Sequence, residues 1–157
     1  MEQNWRHLPS PARPIAAAAS AATEAAQRRD EEALTAAADD LAALDQAQTG
    51  LVLGTFVRVL LEDTHPDGLD GEAVRAVLER SVRSAADWQP AVDPHVMLLL
   101  LAGALGVTEE DDDAPPPKPG LLARHAALLT ADLLGPRPPR PFLDATFTEI
   151  QRAQLND

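Results

Sequence analysis

Apolar residues recur at intervals of three and four along most of this chain, which is the spacing that places side chains on one face of an α-helix. The clearest case is 70–88, where one face is apolar and the opposite face carries charged residues. The same spacing predicts helices over four further segments, namely 15–48 as one long helix or as two, 51–63, 121–134 and 142–155. The pattern therefore indicates an all-α protein.

Residues that favour helix ends divide these segments. Asp30 and Asp70 each precede a helical repeat, and Asp93 is followed by a proline, so all three are predicted to be N-caps. Asp30 would also mark the break if 15–48 forms two helices. Gly50 interrupts the apolar repeat, and we expect a helix boundary there.

The segment 94–106 differs from the others because Val96–Leu105 is apolar on all sides. A helix of this kind is usually buried by its neighbours. Its apolar run, 96–107, is shorter than the roughly 20 residues that span a bilayer, so we predict a buried helix and not a membrane span. We expect a single-domain bundle of five to seven helices with this helix at its centre.

The prolines divide the chain into an arm, a core and a C-terminal part. Residues 1–14 form a predicted irregular arm, with Trp5 and Leu8 as its only possible anchors. The helical core is predicted over 15–107, a linker over 108–120, and C-terminal helices over 121–157 that pack on the core or on a neighbouring subunit.

Two Pro-rich connectors are expected to act as spacers. The first follows the acidic run Glu109–Asp113, which we interpret as part of a solvated linker. The second, Pro136–Pro141, is predicted to be extended, and both would allow the C-terminal helices to be displayed away from the core.

The composition narrows the classes of partner. Lys and Arg number 13 against 25 Asp and Glu, giving a net charge of −12, so we expect no nucleic-acid partner and no membrane partner. Cysteine is absent, which excludes disulfides and thiolate chemistry and favours a cytoplasmic location. The Ala-rich run 15–22 lacks a preceding basic region, and we do not expect it to direct export.

One acidic loop contains the only candidate metal ligands, Asp63, His65, Asp67 and Asp70. Their spacing is similar to the first half of a calcium-binding loop. However, His65 stands where an oxygen ligand is needed, and Val74 stands where a bidentate Glu is needed. We therefore interpret the loop as an acidic turn ending in a helix cap, and we expect no metal and no cofactor.

Three side chains are candidates for an apolar ligand pocket between helices: Trp88, His95 and His125. His125 borders an apolar helix face, where a buried histidine with satisfied hydrogen bonds is the simpler interpretation. Asp132 near the end of the same helix needs a cationic neighbour, for which Arg137 or Arg140 is the predicted partner.

Hydrolase, phosphate-binding and dinucleotide-binding motifs are absent from the sequence, and we predict no catalytic residues. We expect a non-enzymatic helical interaction module that binds a protein partner or forms a homo-oligomer. The alternatives are a sensor of a small ligand, with an apolar pocket between helices, and a metal-dependent enzyme.

Overall fold

The computed structural model describes residues 5–107 and 117–155. All regular secondary structure in these residues is helical, so the all-α prediction is confirmed. The seven helices are α1 (Ala12–Gln27), α2 (Glu31–Ala42), α3 (Gln46–Thr64), α4 (Gly71–Ala86), α5 (Pro94–Ala104), α6 (Pro119–Leu134) and α7 (Arg140–Leu155). Their number lies within the predicted five to seven.

The three predicted N-caps begin helices as expected. The side chains of Asp30, Asp70 and Asp93 each accept a hydrogen bond from a backbone N–H two or three residues further on. The segment 15–48 is broken after α1, where Arg29 has a φ of 56° and the N–H of Asp30 bonds a carbonyl in the last turn. A left-handed residue at this position is a common helix stop, although glycine usually occupies it.

The predicted boundary at Gly50 is wrong, because Gly50 and Gly54 both lie inside α3. This helix begins four residues earlier, at a cap formed by the side chain of Asp45 and the N–H of Gln48, which are 3.0 Å apart. A glycine inside a helix costs about 1 kcal/mol relative to alanine. Burial of Phe56 and of the other apolar side chains on the inner face of α3 outweighs that cost.

The centre of the bundle is α6 and not the predicted α5. Helix α6 packs against α1, α2, α3, α4 and α5, whereas α5 packs against α3, α4 and α6. Small side chains on α6, among them Ala123, Ala126 and Ala127, are buried and allow neighbouring helices to approach on several sides. Helix α5 has only 11 residues, and three of its leucines, 98–100, are only partly buried. One hydrophobic cluster includes residues of all seven helices.

A polar network joins α2, α6 and the loop between α4 and α5. The guanidinium of Arg124 donates to Glu31 (2.9 Å), to the buried side chain of Gln89 (3.1 Å) and to the hydroxyl of Thr35 (2.7 Å). Gln89 in turn donates to Glu31. Each polar group of this network therefore has a partner, as buried polar groups require.

The N-terminal arm packs against α7. Trp5 and Leu8, the two predicted anchors, are both buried. The guanidinium of Arg140 lies 3.9 Å from the centre of the Trp5 ring, a cation–π contact, and Arg13 donates to the carbonyl of Leu8 (2.9 Å).

The second Pro-rich stretch is a short fixed turn and not the predicted extended spacer. The side chain of Gln27 on α1 donates to the carbonyls of Gly135 (3.0 Å) and Arg137 (2.7 Å). Arg137 donates to the last carbonyls of α6 and lies 4.9 Å from the ring centre of Phe142. These contacts hold α7 against the core of its own chain, where it packs on α3 and α1.

The acidic run and most of the first linker, 108–116, lie outside the described residues. Helix α6 begins at Pro119, two residues before its predicted start, because a proline fits the first turn of a helix. In the part of the chain that the structure describes, no helix is both long and apolar enough to cross a bilayer.

Candidate functional site

The four candidate metal ligands are not brought together by the fold. Asp63 lies 2.7 Å from the guanidinium of Arg137, and Asp70 caps α4. His65 bonds the neighbouring threonine hydroxyl, and Asp67 is exposed. Among the described residues, no group of three or more His, Cys, Asp and Glu side chains is placed to hold a metal ion.

His125 is buried between α6 and the start of α5. Its Nε2 accepts a hydrogen bond from the backbone N–H of Asp93 (2.9 Å), and its Nδ1 donates to the carbonyl of Leu121 (2.8 Å). Burial lowers the pKa of His125, and the nearby charge of Arg124 lowers it further. The hydrogen bond to Leu121 and the charge of Asp93 raise the pKa, but they offset only part of the decrease. Both ring nitrogens are occupied, so this imidazole has a structural role and offers no free atom to a ligand.

The three predicted pocket residues do not share a pocket. His95 is exposed in the first turn of α5, and His125 has both nitrogens occupied. Trp88 is partly buried just after α4 and lines a different cavity, of about 200 Å³, between α1, α4 and α6.

The cavity beside Trp88 lies where three helices end. It is lined by the last turn of α1 with Arg29, by the last turn of α4 with Trp88, and by the last two turns of α6 with Gly135. The backbone carbonyls at a helix C-terminus carry a partial negative charge of about half an elementary charge. At this cavity the last carbonyls of α6 accept hydrogen bonds from Arg137, and those of α1 accept hydrogen bonds from the N–H groups of residues 28–30, which offset this partial charge.

Asp132 adds a full negative charge to this cavity. Its side chain is 14% exposed, and its Oδ2 accepts hydrogen bonds from Ser81 (2.8 Å) and Arg80 (3.1 Å). The predicted partners Arg137 and Arg140 are wrong: Arg137 pairs with Asp63, and Arg140 with Asp144. Both hydrogen bonds to Asp132 use Oδ2, so Oδ1 has no protein partner among the described residues.

A second region of interest is a groove of about 430 Å³ between α3 and the end of α5. It is lined on one side by five residues of α3 (Gly50, Leu51, Gly54, Thr55 and Arg58) and on the other by 103–106. A Cβ atom added at Gly50, Gly54 or Gly103 would have no atom within 4 Å. The missing side chains therefore leave open space against two helix backbones.

A smaller groove of about 240 Å³ adjoins the first at Leu51. Its lining comes from the N-terminal arm and the start of α1, from the start of α3, and from α7 between Phe147 and Gln154. Leu51 lines both grooves and is 49% exposed. We call the residues that line these two grooves the groove surface.

The groove surface carries no carboxylate. Nineteen different residues line the two grooves, and none is Asp or Glu, although 25 of the 157 residues are acidic. Its one charged side chain, Arg58, is balanced by Glu62 and Glu149, which lie 3.8 and 4.0 Å away. The surface is therefore close to neutral on a strongly acidic protein.

Sequence reasoning missed the groove surface. The glycines at 50 and 54 are spaced by one helical turn within an apolar repeat, which was the available signal. Gly50 was instead interpreted as a helix end, so the two were not placed on one face.

Comparisons with protein-family models, with curated proteins and with solved structures find no match to this chain. A functional proposal therefore depends on the geometry and charge of the groove surface.

Proposed function

We propose that this protein is a self-associating helical module, in which the groove surface of one copy packs against the groove surface of a second copy. The observation that supports the proposal most directly is the combination of exposed apolar groups and absent carboxylates around Leu51.

Charge favours this surface over the rest of the molecule. Two copies with a net charge of −12 each repel one another at most orientations. The residues that line the grooves include no Asp or Glu, so contact between two groove surfaces does not place the carboxylates of one lining against those of the other. The absence of carboxylates from both linings reduces the electrostatic cost of association through this surface.

The groove surface is of the size of a small dimer interface. A typical protein interface involves about 20–30 residues on each side. Of the nineteen residues that line the two grooves, fifteen are at least partly exposed, and Val107, which is 57% exposed, directly follows the end of the first groove. A two-fold axis would place the same residues of both copies in contact, as in most closed dimers.

The glycines allow two helices to approach closely. With no side chain at Gly50 or Gly54, the backbone of α3 is open to a partner helix, and Leu51 beside them is exposed enough to enter a partner groove. Close approach increases the number of dispersion contacts per residue.

The test is sedimentation velocity of the full chain, with the variant Leu51→Asp. We expect the wild-type protein to sediment as a dimer of the 16.7 kDa chain, and Leu51→Asp to sediment as a monomer because it places a charge in the interface. The matched control is Leu121→Asp, since Leu121 is 37% exposed and lies outside the groove surface.

The control variant is expected to remain dimeric. A wild-type protein that stays monomeric at all soluble concentrations contradicts the proposal. So does a dimer that is disrupted equally by both substitutions, because the interface would then lie elsewhere.

A further inference from the structure

The N-terminal arm and the smaller groove share residues. Pro9 and Pro11 are both exposed, and they line that groove together with Leu51 of α3. Pro9 directly follows Leu8, one of the two buried anchors of the arm. We propose that docking of the arm on α7 controls self-association, so that a copy presents a complete groove surface only while Trp5 and Leu8 are buried. This inference rests on the proposed dimer.

The contacts of the arm fix the position of Pro9. The carbonyl of Leu8 belongs to the peptide bond that joins Leu8 to Pro9, and it accepts a hydrogen bond from Arg13 on α1 (2.9 Å). Arg13 also donates to the carbonyl of Arg6 (3.2 Å), and the carbonyl of Pro9 accepts from the N–H of Ala12 (3.0 Å). Departure of Leu8 from its buried site would break the first of these bonds, and Pro9 would lose its fixed place in the groove lining.

Docking of the arm is opposed by one buried group. The indole N–H of Trp5 is buried and has no hydrogen-bond partner among the described residues. A donor that gives up water without gaining a new acceptor costs free energy. The bond between His7 and Asp144 (3.2 Å) compensates little, because the two side chains are 52% and 44% exposed. The docked arm is therefore less stable than the burial of Trp5 and Leu8 alone would make it, and its release leaves the seven helices in place.

The effect of arm docking on the dimer can be calculated. When only a fraction of the copies is able to bind, the apparent dissociation constant rises by the inverse of that fraction. A two-fold dimer needs a docked arm in both copies, so the inverse is squared. If one third of the arms are docked, the dissociation constant of the dimer is expected to be about ninefold higher than with all arms docked. By reciprocity, dimer formation favours the docked arm.

Docking is measured by trypsin cleavage after Arg6 in the Leu51→Asp protein, which is expected to be monomeric. In the docked arm the N–H of Leu8 donates to the carbonyl of Trp5 (3.0 Å), so the bond between Arg6 and His7 lies in a closed turn. Trypsin cuts an extended chain, and the turn therefore has to open first. The rate at which residues 1–6 are lost, followed by mass spectrometry, reports the population of undocked arm.

The variant that tests the coupling is Leu8→Asn, which places an amide in the buried site without changing the net charge. Leu8 does not line either groove. We expect trypsin to remove residues 1–6 about tenfold faster or more when Leu8→Asn is added to the Leu51→Asp protein. With Leu51 intact, Leu8→Asn is expected to raise the dissociation constant of the dimer, measured by sedimentation equilibrium, about ninefold or more. The matched control Leu121→Asn lies outside the arm and the groove surface and is expected to change neither quantity.

The coupling and the dimer fail in different ways. A wild-type dimer that remains as tight in Leu8→Asn, although trypsin shows that the arm is released, overturns the coupling and leaves the dimer standing. A monomeric wild-type protein overturns both. An unchanged cleavage rate in folded Leu8→Asn protein overturns the coupling as well, because Leu8 would then not hold the arm. If Leu8→Asn does not fold, Trp5→Ser removes the other anchor and decides by the same two measurements.

Discussion

The Nε2 atom of His125 on α6 accepts a hydrogen bond from the backbone N–H of Asp93 at the start of α5, across 2.9 Å. A backbone N–H can only donate, so Nε2 of His125 carries no proton. The proton of the neutral ring therefore lies on Nδ1, which donates to the carbonyl of Leu121. The bond joins the central helix of the bundle to the cap of α5. Protonation of Nε2 would place two donors against each other.

This contact predicts how stability depends on pH. Burial lowers the pKa of His125 below the value of about 6.5 that the residue has in an unfolded chain. The unfolded state therefore takes up a proton at a higher pH than the folded state does. The contribution of His125 to stability is complete above pH ~6.5 and is lost as the pH falls from there through the pKa of the folded state.

Urea unfolding between about pH 5 and pH 7 measures this effect. The slope of unfolding free energy against pH is expected to be smaller in His125→Gln, by up to about 1.4 kcal/mol per pH unit. Ala36→Gln, which places the same side chain at an exposed position without a titratable group, is the control and should leave the slope as in the wild type. Equal slopes in wild type and His125→Gln would contradict the prediction.

The glycines of α3 predict opposite effects on folding and on self-association. Gly50→Ala and Gly54→Ala introduce no contact within 4 Å of the new Cβ, and each is expected to stabilise the monomer by about 0.5–1 kcal/mol. The double variant should nevertheless weaken the dimer, because the added methyl groups occupy the groove. Thermal unfolding and sedimentation measure the two effects. A double variant that dimerises more tightly would show that no partner helix approaches these glycines.

The network around Arg124 predicts a loss of stability on a conservative change. Lysine cannot reach Glu31, Gln89 and Thr35 at once, so Arg124→Lys is expected to cost about 1–3 kcal/mol by leaving buried Gln89 incompletely bonded. Chemical denaturation measures the change. Arg75→Lys on the exposed face of α4 is the control, with an expected effect below about 0.5 kcal/mol. A loss of the same size in the control would indicate a general effect of the substitution.

The fixed turn before α7 makes a prediction about local opening. Arg137→Lys removes a guanidinium that bonds Asp63 and two carbonyls at the end of α6, and it should destabilise the protein by about 1–3 kcal/mol. Amide hydrogen exchange is expected to rise in the first turn of α7. Arg152→Lys, which affects an exposed pair with Glu149, should leave that exchange unchanged. Unchanged exchange in Arg137→Lys would mean that packing alone holds the turn.

Local features of the sequence predicted the helical segments and the starts of α2, α4 and α5. The caps at Asp30, Asp70 and Asp93 act within three residues, and the apolar period acts within one helix, so neither needs knowledge of the rest of the fold. The anchors Trp5 and Leu8 were also predicted from the sequence, because apart from Met1 they are the only large apolar side chains in the arm.

The helix boundary predicted at Gly50 was wrong because the cost of a glycine in a helix was not weighed against the burial of the rest of α3. The cost of a glycine in a helix is small, and burial of the opposite face of α3 exceeds it only once the bundle is assembled. The apolar sequence of α5 likewise predicted that this helix can be buried. It did not predict how many other helices pack against it. Its short length and large side chains place it to one side of α6.

The sequence by itself determined that the chain is helical, acidic and without thiol chemistry. Only the tertiary structure decided which groups lie together: the ring of His125 bonds the backbone N–H of Asp93, Asp132 pairs with Arg80, and Gly50 faces the end of α5 across a groove. The physical reason is distance along the chain. Caps and helical periods depend on neighbours a few residues away, whereas grooves, cavities and converging helix ends depend on the packing of segments far apart in sequence.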